Sequence, residues 1–133
     1  AKIDVEVVDG RVMYTGVVDS EEDIMKALEI AWNQEGVKEV LNELQTDKNS
    51  GKFDGTQYAR DSLITAQIKA KTIVNRDIKF VNYTIVTSNN IVYIFGIARS
   101  TEELEKVASI ASEIRGVEKV ITHARVSNAP STL

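Results

Sequence analysis

The chain has 133 residues, 43% of them hydrophobic and 27% charged, with a formal net charge of -4, the balance of one or two small globular domains. No apolar run approaches the roughly 20 residues a membrane-spanning helix needs, so a helical transmembrane chain is excluded. Cysteine is absent, which removes disulfides, thiolate metal sites and cysteine nucleophiles together.

The chain opens at Ala1 without a signal-type segment, so any targeting signal is expected upstream. Asp9-Gly10 is a strong two-residue hairpin signal. Ser20-Glu-Glu-Asp23 then reads as a capping box, the serine hydroxyl accepting from an orphan N–H and the acid three residues on reaching back. Ile24, Ala27, Leu28 and Ala31 recur at helical spacing, and Gly36 is placed to stop the helix, with Val37 as its hydrophobic contact. Glu39–Leu44 is the closing strand of a first module spanning residues 1–46. Residues 47–60, polar and glycine-containing, read as a linker.

A second module is expected over residues 61–127, followed by a polar tail, 128–133. Asp61 is positioned to cap a helix in which Leu63, Ala66, Ala70, Ile73 and Val74 form the apolar stripe, widened on one side by Ile64 and Ile68. Ile85–Phe95 reads as a hairpin around Asn89-Asn90, since asparagine tolerates the positive φ of tight turns. Ser100-Thr-Glu-Glu103 is a second capping box, followed by Leu104, Val107, Ala108, Ala111 and Ile114, then Gly116-Val117 and a closing strand Lys119–Val126.

Laid on itself at an offset of 80 residues, the sequence matches without a gap from Val12/Val92 to Gln45/Arg125. Gly16/Gly96, Ser20/Ser100, Glu22/Glu102, Gly36/Gly116 and Val40/Val120 are identical pairs. The expectation is an α+β fold of two modules, each α-β-β-α-β with helices on one face of a three-stranded mixed sheet. The strand–helix–strand segment supplies the parallel pair. The first module lacks its opening helix, so its apolar face must find cover from upstream residues, the other copy or another chain.

Asp61…Ile64-Thr…Ile68, a hairpin ending in Val92-x-x-x-Gly96, then Glu102…Val107…Ala111 and Gly116-Val117-x-x-Val120 together resemble the BON domain. The resemblance covers residues 61–126 and, without the first helix, 3–45. Tandem copies look like the dual-BON proteins of Gram-negative envelopes, many of them lipid-anchored to the outer membrane. What the resemblance implies is a periplasmic, non-catalytic module that binds phospholipid surfaces and supports envelope integrity under stress, with any anchor upstream of this chain.

The residues themselves carry no enzyme-like constellation. The single histidine, His123, lies in the closing strand without a second histidine, and reads as a surface or edge residue. Glu21-Glu22-Asp23 sits where a helix macrodipole favours acids, which explains it without a cation. Gly51 and Gly55 lack the strand-to-helix context of a phosphate loop, and no metal or other cofactor is expected. Nucleic acid is not expected as a partner, because no GxxG loop occurs and the pI is near 5.1.

Charge points to a surface partner instead. Residues 1–47 hold four bases against twelve acids, whereas 48–133 hold twelve bases against eight acids, so the halves meet different partners or are simply two solvated surfaces. Between Arg60 and Phe80 five bases stand against two acids. An anionic phospholipid membrane surface is therefore the expected partner, engaged by Leu63, Ile64, Lys69, Lys71, Arg76, Lys79 and Phe80, with Ile78 a further candidate. The competing view makes Leu63 and Phe80 core residues and the bases a solvated helix face. Trp32, which flanks the Ile24/Leu28 stripe, reads as a partner-binding anchor or as padding over the bare face. The alternative function is a periplasmic protein-interaction or oligomerisation module, binding a second copy or an envelope protein.

Overall fold

A computed structural model describes residues 2–46 and 54–127. The chain divides into two compact units, Ala1–Gly55 and Thr56–Leu133.

In the first unit, β1 (Lys2–Val8) and β2 (Arg11–Val18) form an antiparallel hairpin, and β3 (Glu39–Thr46) runs parallel to β2 on its other side. The turn is where the sequence places it. Asp9 and Gly10 both take positive φ, 55° and 79°, the twist that a two-residue hairpin requires. Helix α1 (Glu21–Trp32) carries the chain from β2 to β3 and starts at Ser20, whose hydroxyl accepts from the backbone N–H of Asp23. Its Ile24, Ala27 and Ala31 pack with Val12, Tyr14 and Val18 of β2 and Leu44 of β3.

The second unit repeats this order and adds a helix. Helix α2 (Gly55–Ile73) leads, through a single 3₁₀ turn at Phe80–Asn82, into the hairpin of β4 (Tyr83–Ser88) and β5 (Ile91–Ala98). Helix α3 (Thr101–Ser112) follows, capped by Ser100, and then β6 (Lys119–Thr122) and β7 (Arg125–Val126), both parallel to β5. Tyr83, Ile85, Val92, Ile94 and Ala98 alternate along their strands and so share one sheet face. Ile64 and Ile68 of α2 and Val107 and Ala111 of α3 pack onto that same face.

Several sequence expectations need correcting. Helix α2 begins at Gly55, so residues 55–60, expected in the linker, are helical; residues 47–53 and the tail 128–133 lie outside the described residues. Asp61 does not cap the helix but lies within it, 7% exposed. The buried stripe of α2 is Asp61, Ile64, Ile68 and Thr72, not Leu63–Val74. The closing strand is interrupted at His123-Ala124, although the register is the same on either side, with Thr122 opposite Ile94 and Arg125 opposite Ile97. Helices α1 and α3 end at Trp32 and Ser112, before the glycines. Gly36 and Gly116 take positive φ, 87° and 96°, in the turn beyond.

Candidate functional site

Helix α2 has two apolar stripes on opposite sides. At about 100° per residue, Asp61, Ile64, Ile68 and Thr72 fall on one face, and Leu63, Ala66, Ala70, Ile73 and Val74 on the other. The first face is held against the sheet, and polar members do not spoil it because each is satisfied. Asp61 accepts from the backbone N–H groups of Asn89 and Asn90 at 2.9 and 3.0 Å, and from Gln57 at 2.9 Å. The Thr72 hydroxyl donates back to the Ile68 carbonyl at 2.9 Å. The second stripe faces solvent: Leu63 is 59% exposed, Ile73 64% and Val74 76%. Lys69 and Lys71, both exposed, stand on either shoulder of it.

The segment 75–82 follows the helix. Arg76 and Lys79 are exposed, Phe80 is half-buried and Val81 is 79% exposed. Of the residues expected to meet lipid, Leu63, Lys69, Lys71, Arg76 and Lys79 thus stand at the surface of one helix and the turn after it. Ile64, 4% exposed, and Ile78, 6% exposed, are core residues instead, so neither meets a membrane without leaving the core. Sequence reading put Ile73 and Val74 on the inward stripe and passed over Val81. The signal for Val81 was its place beside Lys79 and Phe80 in a short basic turn.

A buried carboxylate fixes that turn. Glu103, 3% exposed, accepts from the Tyr83 hydroxyl at 2.5 Å, from the Arg99 guanidinium, and from the backbone N–H groups of Lys79 and Arg99, both at 3.2 Å. The capping box is therefore altered, for the acid reaches the residue before the cap and across to the turn. Burial alone would raise the Glu103 carboxyl, but the hydrogen bonds from Tyr83, Arg99 and Lys79 outweigh it and hold it below its ordinary value. Burial, then the hydrogen bond to Glu103, push the Tyr83 phenol upward. Lys106 pairs with Asp77 at 2.8 Å and, by that hydrogen bond, lowers the aspartate. Arg99 also donates to the Asp77 carbonyl at 3.1 Å.

The first unit has no counterpart of α2 among its described elements, and its helix-bearing face is open. Val5, Val7, Val12, Tyr14 and Ile30 line an apolar groove of about 390 Å³ that runs to Gly36. Trp32, 55% exposed, lies outside this lining. Among the described residues no group of three histidine, cysteine, aspartate or glutamate side chains is placed to hold a metal. No helix among them is long and apolar enough to cross a membrane.

Comparison with known proteins agrees with this architecture. The chain is 43% identical over 129 residues to a protein of the gshII 5′ region of Anaplasma centrale, covering 97% of this chain and 84% of that one. It is 32% identical over 121 residues to the 21 kDa hemolysin of Actinobacillus pleuropneumoniae, covering 91% of this chain and 60% of that protein. Over 113 residues it is 34% identical to the outer membrane lipoprotein DolP of Haemophilus influenzae, covering 85% of this chain and 56% of the relative. It therefore spans little more than half the length of those last two. The BON domain profile matches residues 1–48 and again 60–128, one match for each copy of the repeat, and the chain belongs to the BON domain family.

Proposed function

We propose that this chain is a non-catalytic module of the cell envelope whose second BON unit lies on anionic phospholipid surfaces and supports outer-membrane integrity. The observation that carries the reading is the outward stripe of α2. Leu63, Ile73 and Val74 are more than half exposed on a helix whose opposite side already fills the core. A helix that exposes a second apolar stripe between lysines has the pattern of one lying in a membrane interface. Lys69, Lys71, Arg76 and Lys79 would meet headgroup phosphates at about 1 kcal/mol each, while Leu63, Val74 and Val81 enter the acyl boundary. Phe80, half-buried, lies in the turn that carries Val81.

One relative is named an outer membrane lipoprotein, which favours a periplasmic site with a lipid anchor. The test is co-sedimentation with phosphatidylglycerol-containing vesicles against phosphatidylcholine vesicles, at low and high salt. Binding to the anionic vesicles alone, weakened by salt, is expected. Equal binding to both, or to neither, would reject the reading in favour of a protein-interaction module, for which exposed Trp32 is the first contact to test.

A further inference from the structure

The internal repeat supplies a control for surface positions, because residues 80 places apart occupy equivalent sites in the two units. Met25 and Trp32 of α1, 65% and 55% exposed, correspond to Glu105 and Ser112 of α3, which are exposed as well. The second unit also carries α2 and still leaves these two positions uncovered, so exposure there belongs to the fold of the module. Only the chemistry differs, apolar in the first unit and polar in the second. At about 100° per residue, Met25 and Trp32 fall together on the flank of α1 turned away from Ile30 and the groove. Glu21, Glu22 and Glu29, all exposed, lie within about 60° of Met25, whereas Lys26, the one base of the helix, falls on the Ile30 side. Glu29 stands beyond the first turn, where the macrodipole no longer accounts for an acid. The second unit has Ser109 in its place.

Helix α2 presents the opposite charge. Its one acid, Asp61, is buried and hydrogen-bonded, so the charges it exposes, Arg60, Lys69 and Lys71, are all positive. On its outward stripe the exposed Ala66 and Ala70 lie between Leu63 and Ile73, leaving a shallow seat for larger side chains. We propose that α1 of one copy docks on this outward stripe of α2 in a second copy. Met25 and Trp32 enter the alanine seat, and the glutamates of α1 face the bases of α2. Methionine and tryptophan are residue types enriched where proteins meet. The two surfaces are different, so the contact is head-to-tail and each copy keeps one face of each kind for the next. The stripe is the one assigned above to lipid, so a second copy and a membrane exclude each other there. The association itself needs no lipid and does not rest on that reading.

The experiment is analytical sedimentation of the whole chain without lipid, with Trp32, the single tryptophan, as a fluorescent reporter. At low salt the average mass is expected to rise with concentration beyond that of a dimer, with a blue shift of Trp32 emission. High salt should weaken the association about tenfold or more. Trp32→Glu blocks the α1 face and Leu63→Glu/Val74→Glu the α2 face, all at positions more than half exposed, and melting curves check that both variants are folded. Each variant alone should stay monomeric. Their equimolar mixture should form a 1:1 dimer and nothing larger, because one intact face of each kind remains. A wild-type chain that is monomeric up to about 1 mM would overturn the proposal. So would a mixture that stays monomeric, or undiminished association of Trp32→Glu, which would mean that α2 pairs with itself. A blue-shifted Trp32 in dilute monomer that Leu63→Glu/Val74→Glu reverses would overturn it by placing the contact within one chain.

Discussion

The Tyr83 hydroxyl donates to the Oε1 of Glu103 at 2.5 Å, joining the first residue of β4 to the first turn of α3 at a point where both are buried. Around this contact the turn that presents Arg76, Lys79 and Val81 is held by the Lys79 backbone N–H on the carboxylate, which also accepts from the Arg99 N–H, a charge-assisted arrangement stronger than neutral hydrogen bonds.

Replacing Glu103 with glutamine puts an amide nitrogen where the Lys79 or Arg99 N–H groups now donate. A loss of about 2 kcal/mol is expected in urea unfolding of Glu103→Gln, because buried donors are left without an acceptor.

The same contact sets a pH dependence. The Glu103 carboxyl is lowered in the folded state, so the stability it contributes is fully present above the ordinary glutamate range. It is lost as pH falls through the lower folded value. Unfolding curves of wild type and Glu103→Gln measured from neutrality downward should therefore converge in acid. A gap that stays constant through the acid range would show that the charge is not what stabilises the turn.

Gly96 packs its backbone against the Phe80–Asn82 turn, and a Cβ at its φ of +109° would lie 2.3 Å from the Asn82 carbonyl oxygen. Gly96→Ala is expected to cost about 2–4 kcal/mol in thermal or denaturant unfolding, through collision added to backbone strain. Gly36→Ala meets open space, and only the strain of its positive φ, about 1 kcal/mol, should appear.

Asp61 closes the Asn89-Asn90 turn from the flank of α2, accepting from both turn N–H groups. Asp61→Ala should destabilise the second unit by about 1–3 kcal/mol and leave the first unchanged. Amide exchange resolves the two, with faster exchange expected at Asn89 and Asn90 and none at Asp9 and Gly10.

On the membrane side, Val74→Glu and the pair Lys69→Glu/Lys71→Glu should each reduce binding to anionic vesicles about tenfold or more, by removing apolar contact in one case and reversing charge in the other. Ile110→Val, a conservative change on α3 away from the stripe, should bind as wild type. Full binding by both charged variants would place the lipid contact elsewhere on the protein.

The hairpin turns, the serine caps and the repeat were legible because each rests on local chemistry: a short side chain accepting an N–H, or a backbone angle that few residues tolerate. The facing of α2 was not. Its inward stripe includes Asp61 and Thr72, which look like surface residues until their partners are known. Asp61 is satisfied by a turn 28 residues away, a distance no helical period reports. The outward stripe, richer in apolar residues, reads more naturally as core. Residues 55–60 were hidden for a related reason, since Gln57 joins the helix to Asp61 and Asn90 through contacts made only in the folded unit. The lipid candidates on α2 and after it came from charge and position, and burial removed Ile64 and Ile78 from among them.

The two sheets share one register. Val8 faces Arg11 and Arg11 faces Glu39 in the first, as Ser88 faces Ile91 and Ile91 faces Lys119 in the second, each pair displaced by the same 80 residues. To a strand still searching for its neighbour, β2 and β5 therefore present the same spacing of donors and acceptors. Backbone geometry alone does not distinguish a correct pairing from a crossed one, the misassembly to which tandem repeats are prone. Discrimination falls to side chains that only one copy possesses, such as the Tyr83–Glu103–Arg99 group, for which Ile3, Asp23 and Asp19 stand in the other. It falls equally to order of synthesis, since β1–β3 leave the ribosome as a set before β4 exists.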